Sequence, residues 1–451
     1  MIHKFIFDDH RIVLDVNSGA VHLVDELTWH LLDDYPLLSP RDLVAKHSRC
    51  YPVSEVQEAV REIEELVREG LLFSPDPLNG HYEPACNEVV KALCLHLAHD
   101  CNLACRYCFA GQGHFGGPSG LMPLETGRQA LDFLFAASGS RRHVEVDFFG
   151  GEPLLNFSVL QALVEYGRQR AAQLGKVIKF TVTTNALLLT PEVGRYLNEN
   201  DLAVVLSLDG RQEIHDAMRI FPGGRGSYGR VLENISRFVS SRPGGEYYVR
   251  GTFTRHNLDF SRDVLHMADL GFEHISVEPV VAPYREEYAL QPQDVPLICE
   301  EYEALTRQLL SRARKGQRIN FFHFNIDLGG GPCLPKRLTG CGAGREYLAV
   351  SPEGKLYPCH QFVGRSEYCM GDVERGIVRP ELVEEFRAAH VYNKDACRGC
   401  WARFYCSGGC HANAHAFHGN IFTPYEIACD LIKKRIECAL YLKAALSSES
   451  A

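Results

Sequence analysis

Cys101, Cys105 and Cys108 stand in the stretch DCNLACRYC with the spacing Cys-x3-Cys-x2-Cys. Thiolates this close in sequence can converge on one metal centre, yet iron–sulfur cubanes and structural zinc sites usually take four protein ligands. A zinc site would need a fourth nearby donor, for which His99 and His114 are the candidates.

A second cysteine field lies toward the C-terminus. It reads Cys341-x12-Gly-x4-Cys359, then Cys397-x2-Cys400-x5-Cys406-x3-Cys410, then Cys429. A zinc ribbon could use part of it, but seven spaced cysteines exceed the needs of one zinc ion. Cys333 follows a glycine run and is a further candidate. Cys50, Cys86, Cys94, Cys299, Cys369 and Cys438 are expected to pack as small apolar groups. His411 and His415 are four residues apart and His418 follows, but no acidic companion supports a metal reading. The GGRGS stretch at Gly223 lacks the lysine of a phosphate loop.

Seventeen cysteines in 451 residues, an odd number in metal-type spacings, point to a reducing, cytoplasmic setting rather than to disulfides. No apolar run is long enough to span a bilayer, and the N-terminus has no secretory pattern. A net charge of −10 argues against a nucleic-acid partner. Neither nucleic acid nor membrane is expected as a partner.

The elements that must position these cysteines fall into three regions. Residues 1–75 read as three short strands, KFIF, RIVLDV and AVHLV, followed by helices over 26–34, 41–46 and 55–69, a winged-helix-like unit. Ser54 and Gln57 form a capping box ahead of the last helix. Residues 1–80 carry fifteen acidic and seven basic side chains, the wrong sign for DNA, so a sheet edge that accepts a peptide strand is the better reading. A linker over 76–90 follows. Residues 91–292 repeat strand, loop and helix, with strands ALCLHL, VEVDFF, KFTVTT, AVVLSL, YYVRGTFT and HISVEPV. This predicts an α/β class and a parallel sheet closed wholly or partly into a TIM-like barrel. A bridging region over 293–332, a cysteine-rich region over 333–430 and a helix and tail over 431–451 complete the chain.

The first cysteine trio falls just after the first barrel strand, where such barrels place their chemistry. The ends of the following strands carry Gly150-Gly151-Glu152-Pro153, then Thr184 and Asn185, then Ser207, with Arg219 downstream. With Tyr107 before the third cysteine, this set resembles the radical S-adenosylmethionine superfamily over about residues 91–279. The resemblance implies a partial (β/α)6 barrel. Cys101, Cys105 and Cys108 would hold a [4Fe–4S] cluster whose fourth iron is met by S-adenosylmethionine. Its amino group would meet Glu152 and the backbone of Gly150 and Gly151, its carboxylate Arg219 and Ser207. Thr184 and Asn185 would meet the ribose, and Tyr107 backbone with Val277 the adenine. The implied chemistry is reductive cleavage of the sulfonium to methionine and a 5′-deoxyadenosyl radical, which takes hydrogen from an unactivated carbon.

The second cysteine field resembles the SPASM extension of peptide- and protein-modifying radical enzymes. That resemblance implies two auxiliary clusters, three [4Fe–4S] clusters in all. The nearer one would be held by Cys341, Cys359 and Cys410, the distal one by Cys397, Cys400, Cys406 and Cys429. The nearer cluster's vacant corner would be filled by Cys333 or left open for a substrate thiolate. The opening, IVLDVNSGAVHLVDE, resembles the maturases of six-cysteines-in-forty-five peptides, which form cysteine-to-threonine thioethers. They imply two partners: a cysteine-rich precursor peptide gripped by its leader between residues 20–24 and the 55–69 helix, and an electron donor such as flavodoxin or ferredoxin. The alternatives are a formylglycine-forming anaerobic sulfatase maturase and a non-catalytic iron–sulfur carrier or peptide-binding scaffold. Neither the catalytic base nor the peptide's identity is legible.

Overall fold

A computed structural model describes residues 1–35, 37–84, 89–242, 244–317, 319–328 and 334–448. Cys86 and Cys333 lie outside the described residues.

The chain begins with an antiparallel meander, β1 (Ile2–Phe7), β2 (His10–Asp15) and β3 (Val21–Val24), in that spatial order. The central strand is apolar on both faces. Val13 packs with Leu31, Leu43, Val56, Val60 and Ile63 of the three following helices, while Ile12 and Leu14 belong to the main core. Strand alternation sends the two sets to opposite sides. The turn into β3 is locked by Asp15, fully buried, which accepts from Ser18 N at 2.9 Å and from Ser74 N at 3.1 Å.

Asp25 caps the helix Glu26–Asp34 and Ser39 caps Pro40–His47. The third helix, Val53–Arg68, departs from expectation. Pro52 is its N-cap and no side chain caps it, so Ser54 and Gln57 lie inside the first turns and form no capping box. Proline presets the helical φ of the boundary, which starts the helix earlier than the serine suggests.

Six parallel strands form the barrel-like sheet: β4 (Ala92–His99), β6 (His143–Gly150), β7 (Val177–Thr184), β8 (Ala203–Ser207), β9 (Tyr247–Phe253) and β10 (His274–Pro279), with a short β5 (Gly120–Leu121) antiparallel to β4. Helices between successive strands cover the outer face. The sheet does not stop at its sequence-expected ends. β11 (Asn320–Phe321) adds parallel to β10, and β12 (Tyr347–Val350), from the cysteine-rich region, adds parallel to β4. From β12 the sheet continues through β13 (Lys355–Tyr357), β14 (Gly371–Asp372) and β15 (Gly376–Ile377). All eight residues of β4 are therefore buried, flanked on both edges and both faces.

The last helix spans Glu426–Ser448, so it starts earlier than expected and includes Cys429. It packs along the helix Val295–Arg314, where Lys434 pairs with Glu303 at 2.9 Å and Arg435 donates to Tyr302 Oη at 2.8 Å. The N-terminal meander docks on this helix and on the cysteine-rich region. Phe7 stacks on Tyr441 with ring centroids 4.0 Å apart, and His3 on Trp401 at 3.6 Å. No helix is long and apolar enough to cross a membrane among the described residues.

Candidate active site

The C-terminal ends of the parallel strands converge on one cavity of about 520 Å³. Cys101, Cys105 and Cys108 line it from the loop after β4. Gly150, Gly151, Thr184, Asn185 and Ser207 line it from the next three strand ends, with Tyr107 and Arg219. Of the residues expected to meet S-adenosylmethionine, only Glu152 and Val277 are absent from its wall.

The glycines are required by how β6 meets β4. Gly150 adopts φ +127°, and a Cβ there would fall 2.3 Å from Ala98 O; one at Gly151 would fall 2.1 Å from Asp100 O. This close approach lets Gly151 N donate to Ala98 O at 2.8 Å and Glu152 N to Asp100 O at 2.9 Å. The exit of the cysteine loop is thereby fixed to the end of β6.

Glu152 takes a different position from the one expected. It is fully buried behind the cavity wall, and its carboxylate accepts from Leu154 N at 3.0 Å, Thr184 Oγ1 at 2.8 Å and Asn185 N at 2.8 Å. Burial pushes its pKa up to about 7 against the opposing pull of these donors. Glu152 thus orients Thr184 and Asn185. Asn185 in turn donates to Asn102 Oδ1 at 2.7 Å and approaches Cys101 Sγ at 3.6 Å.

Val277 is corrected by strand alternation. It pairs with Gly251, on the face opposite Arg250, Thr252 and Glu278, which line the cavity. The apolar wall there comes from Val280, Val281 and Leu290 instead.

Asp209, just after β8, ties four segments together. It pairs with Arg219 Nε at 3.0 Å, accepts from Thr252 N at 3.0 Å and accepts from the Tyr107 hydroxyl. The Arg219 guanidinium also lies 5.5 Å from the Tyr107 ring centroid. Ala104 N and Arg106 N donate to Ile220 O and Met218 O, so the cysteine loop and the Arg219 segment are joined by main-chain bonds on either side. Sequence reading placed Arg219 but not Asp209, although the Leu208-Asp209-Gly210 turn is a visible signal.

The opposite wall is ionic. Glu278 pairs with Arg435 of the last helix at 3.3 Å, and His323 lies 3.7 Å from Glu278. Burial raises the Glu278 pKa, but His323, Arg435 and Arg250 outweigh it and pull the value to about 2. Burial, with Arg435 beside it, pushes His323 down to about 3.

The ten motif cysteines separate into three sets by which thiols act on one another. Cys101 feels Cys105 and Cys108; Cys359 feels Cys410 and Cys341; and Cys397, Cys400, Cys406 and Cys429 form the third group. Burial pushes the Cys101 thiol up to about 12 and Cys105, Cys397, Cys406 and Cys429 to about 11. Such thiols become thiolates only against strong positive charge, which a metal cluster supplies. No group of three or more His, Cys, Asp or Glu side chains converges on a single ion among the described residues. Sets of three and four cysteines are the donors by which iron–sulfur clusters are held, each thiolate on a different iron. The donor sets therefore fit the implied clusters. The three histidines turn apart: His411 toward Lys394, His415 to Arg365 at 2.6 Å and His418 to Glu426 at 3.1 Å.

Cys410 lines the same cavity as the first trio, together with His360, Gln361 and Asn413. Two of the three thiol sets thus border one chamber.

Comparison with known proteins agrees with this arrangement. Residues 90–232 match a family described as a 4Fe-4S single cluster domain, and residues 341–401 match the SPASM iron-sulfur cluster-binding domain. The radical SAM cyclopropyl synthase TigE of Paramaledivibacter caminithermalis is 22% identical over 376 residues, 77% of this chain and 73% of its own. The structure of anSMEcpe with bound AdoMet and Cp18Cys peptide superposes with a TM-score of 0.65 at 20% identity, covering 80% of this chain and 99% of that one. Streptococcus suis SuiB bound to precursor peptide SuiA gives 0.53 at 15% identity, covering 94% of this chain and 97% of that one. These matches support a radical S-adenosylmethionine enzyme. It carries the SPASM domain and is homologous to TigE, the anaerobic sulfatase-maturating enzymes and mycofactocin maturase. The two matched family models are both iron–sulfur cluster-binding domains.

Proposed function

We propose that the protein matures a ribosomally made, cysteine-rich precursor peptide by forming intramolecular thioethers. The observation that carries this reading is the shared chamber, bordered by Cys101, Cys105 and Cys108 on one side and by Cys410 on the other. A peptide held there meets radical chemistry and a cysteine-ligated centre at once.

The first trio would hold the radical-site cluster. Backbone at Gly150 and Gly151 would take the amino group of S-adenosylmethionine, Ser207 and Arg219 its carboxylate, and Thr184 and Asn185 its ribose, with Glu152 fixing the last two. Bound together, cluster and cosubstrate supply an adenosyl radical that abstracts hydrogen from carbon. Cys341, Cys359 and Cys410 would hold an auxiliary cluster able to bind a peptide thiolate and accept one electron. Cys397, Cys400, Cys406 and Cys429 would hold the distal one. Arg219, neutralised by Asp209, stays in place for an incoming carboxylate.

The relatives support a peptide substrate. SuiB, whose structure holds its precursor peptide, resembles this chain over 94% of its length. The leader would add as a strand to β3, which is the sheet's edge and presents Leu23 at 47% exposure. A formylglycine reading gives the first 75 residues no role. An electron donor such as flavodoxin or ferredoxin would supply reducing equivalents.

The test uses anaerobically reconstituted enzyme, S-adenosylmethionine, dithionite and the cysteine-rich peptide encoded beside the gene. Loss of hydrogen pairs from the peptide is expected, with matching loss of alkylatable thiols that reductants do not restore. Formation of 5′-deoxyadenosine over an unchanged peptide would rule out this substrate and leave the radical chemistry standing.

A further inference from the structure

Lys394 is fully buried in the cysteine-rich region. Its ammonium donates to Gly408 O at 2.8 Å and lies 3.4 Å from His411 Nδ1, and no carboxylate pairs with it among the described residues. An ammonium without a counter-anion in such a place is strongly unfavourable. The thiols that bear on it come from both auxiliary sets, Cys397 and Cys406 of the distal one and Cys410 and Cys341 of the nearer one, and each set becomes anionic only when it holds a cluster.

The loop joining the two sets is built around this side chain. Between Cys406 and Cys410, Ser407, Gly408 and Gly409 take φ values of +59°, +85° and +73°. Three consecutive left-handed residues, one of them not glycine, make a costly turn. The turn aims the Gly408 carbonyl at Lys394, and a Cβ at residue 408 would come 3.3 Å from the lysine Cδ and Nζ. Backbone conformation and buried charge therefore point to one arrangement, a ligand loop wound about an ammonium.

We propose that the Lys394 ammonium is the common counter-charge of the two auxiliary clusters and raises the reduction potential of both, an inference that rests on the cysteine assignment above. Each cluster gains one negative charge on reduction, and a fixed cation in a low-dielectric interior stabilises that form. Because one cation serves both, its removal moves both potentials in the same direction. The radical-site cluster, ligated from the barrel, does not follow.

The experiment is an EPR-monitored dithionite titration of the reconstituted full-length protein, with iron counted first. Auxiliary signals are isolated in a Cys101→Ala/Cys105→Ala/Cys108→Ala background. Lys394→Met is expected to lower both auxiliary midpoints while leaving the radical-site midpoint of the otherwise intact protein unchanged; Lys394→Arg is expected to restore them. If Lys394→Met fails to retain iron, Lys394→Gln, which can still donate to the Gly408 carbonyl, carries the measurement. Unchanged auxiliary midpoints, or a shift in only one, overturn the proposal. Failure of the cysteine assignment is a separate result, because the protein with Lys394 in place would then hold a single cluster's worth of iron.

Discussion

Arg435, on the last helix, meets Glu278, at the end of β10, at 3.3 Å across 157 residues of chain. The pair joins the C-terminal helix to the wall of the reaction cavity, and Tyr302 holds the same guanidinium from the bridging helix. Removing the arginine alone leaves Glu278, a third exposed on the cavity wall, without its ion-pair partner on the last helix. Arg435→Met should destabilise the fold by about 1–3 kcal/mol. The double variant with Glu278→Gln should recover a large part of that loss. Thermal unfolding of the four proteins of this cycle measures the coupling.

Glu152 makes stability depend on pH. Its folded pKa of about 7 lies above the ordinary 4.5, so the folded state binds the proton more tightly than the unfolded chain. The stabilisation is complete below pH 4.5 and is lost as pH rises through about 7. Between pH 6 and pH 8 this group alone should cost the fold about 1 kcal/mol. Glu152→Gln should abolish that slope. It should also lower stability throughout by about 1–3 kcal/mol, because the amide nitrogen cannot accept from Asn185 N. Denaturant unfolding at the two pH values reads both effects.

The cysteine sets predict separable losses. Cys410→Ala should remove about four irons per chain and leave the radical-site cluster able to cleave S-adenosylmethionine. Cys105→Ala should remove a similar amount and abolish cleavage. Iron analysis with chromatographic detection of 5′-deoxyadenosine distinguishes the two.

Leader capture at β3 predicts a binding defect confined to the peptide. Leu23→Asp should weaken precursor affinity roughly tenfold or more. Peptide-independent cleavage of S-adenosylmethionine should be unchanged. Fluorescence anisotropy of a labelled precursor supplies the affinity.

What could be read from the residues alone was what is encoded locally. The spacing of Cys101, Cys105 and Cys108, the alternation in β6 and β9 and the amphipathic third helix each reflect neighbours in sequence. Contacts set by tertiary packing stayed hidden. The Leu208-Asp209-Gly210 turn marks Asp209 but not its partners Tyr107 and Arg219, and nothing near Arg435 announces Glu278. Val277 lies off the cavity wall because it pairs with Gly251 and so faces away from Thr252, a register between strands that the sequence does not show. Glu152 has the residue type of a ligand-binding group, but its place behind the wall depends on the backbone of Asn185 turning toward it. The helix start at Pro52 shows a proline setting the boundary ahead of a serine that could also have done so.

The pairing of β12 with β4 has a consequence for the peptide. β4 leads directly into the loop of Cys101, while β12 lies between Cys341 and Cys359. The two thiol sets that border the chamber are therefore tied by one hydrogen-bonded ladder. The ladder acts as a gauge for the opening. A peptide whose joined residues lie at a different span must bend to match it.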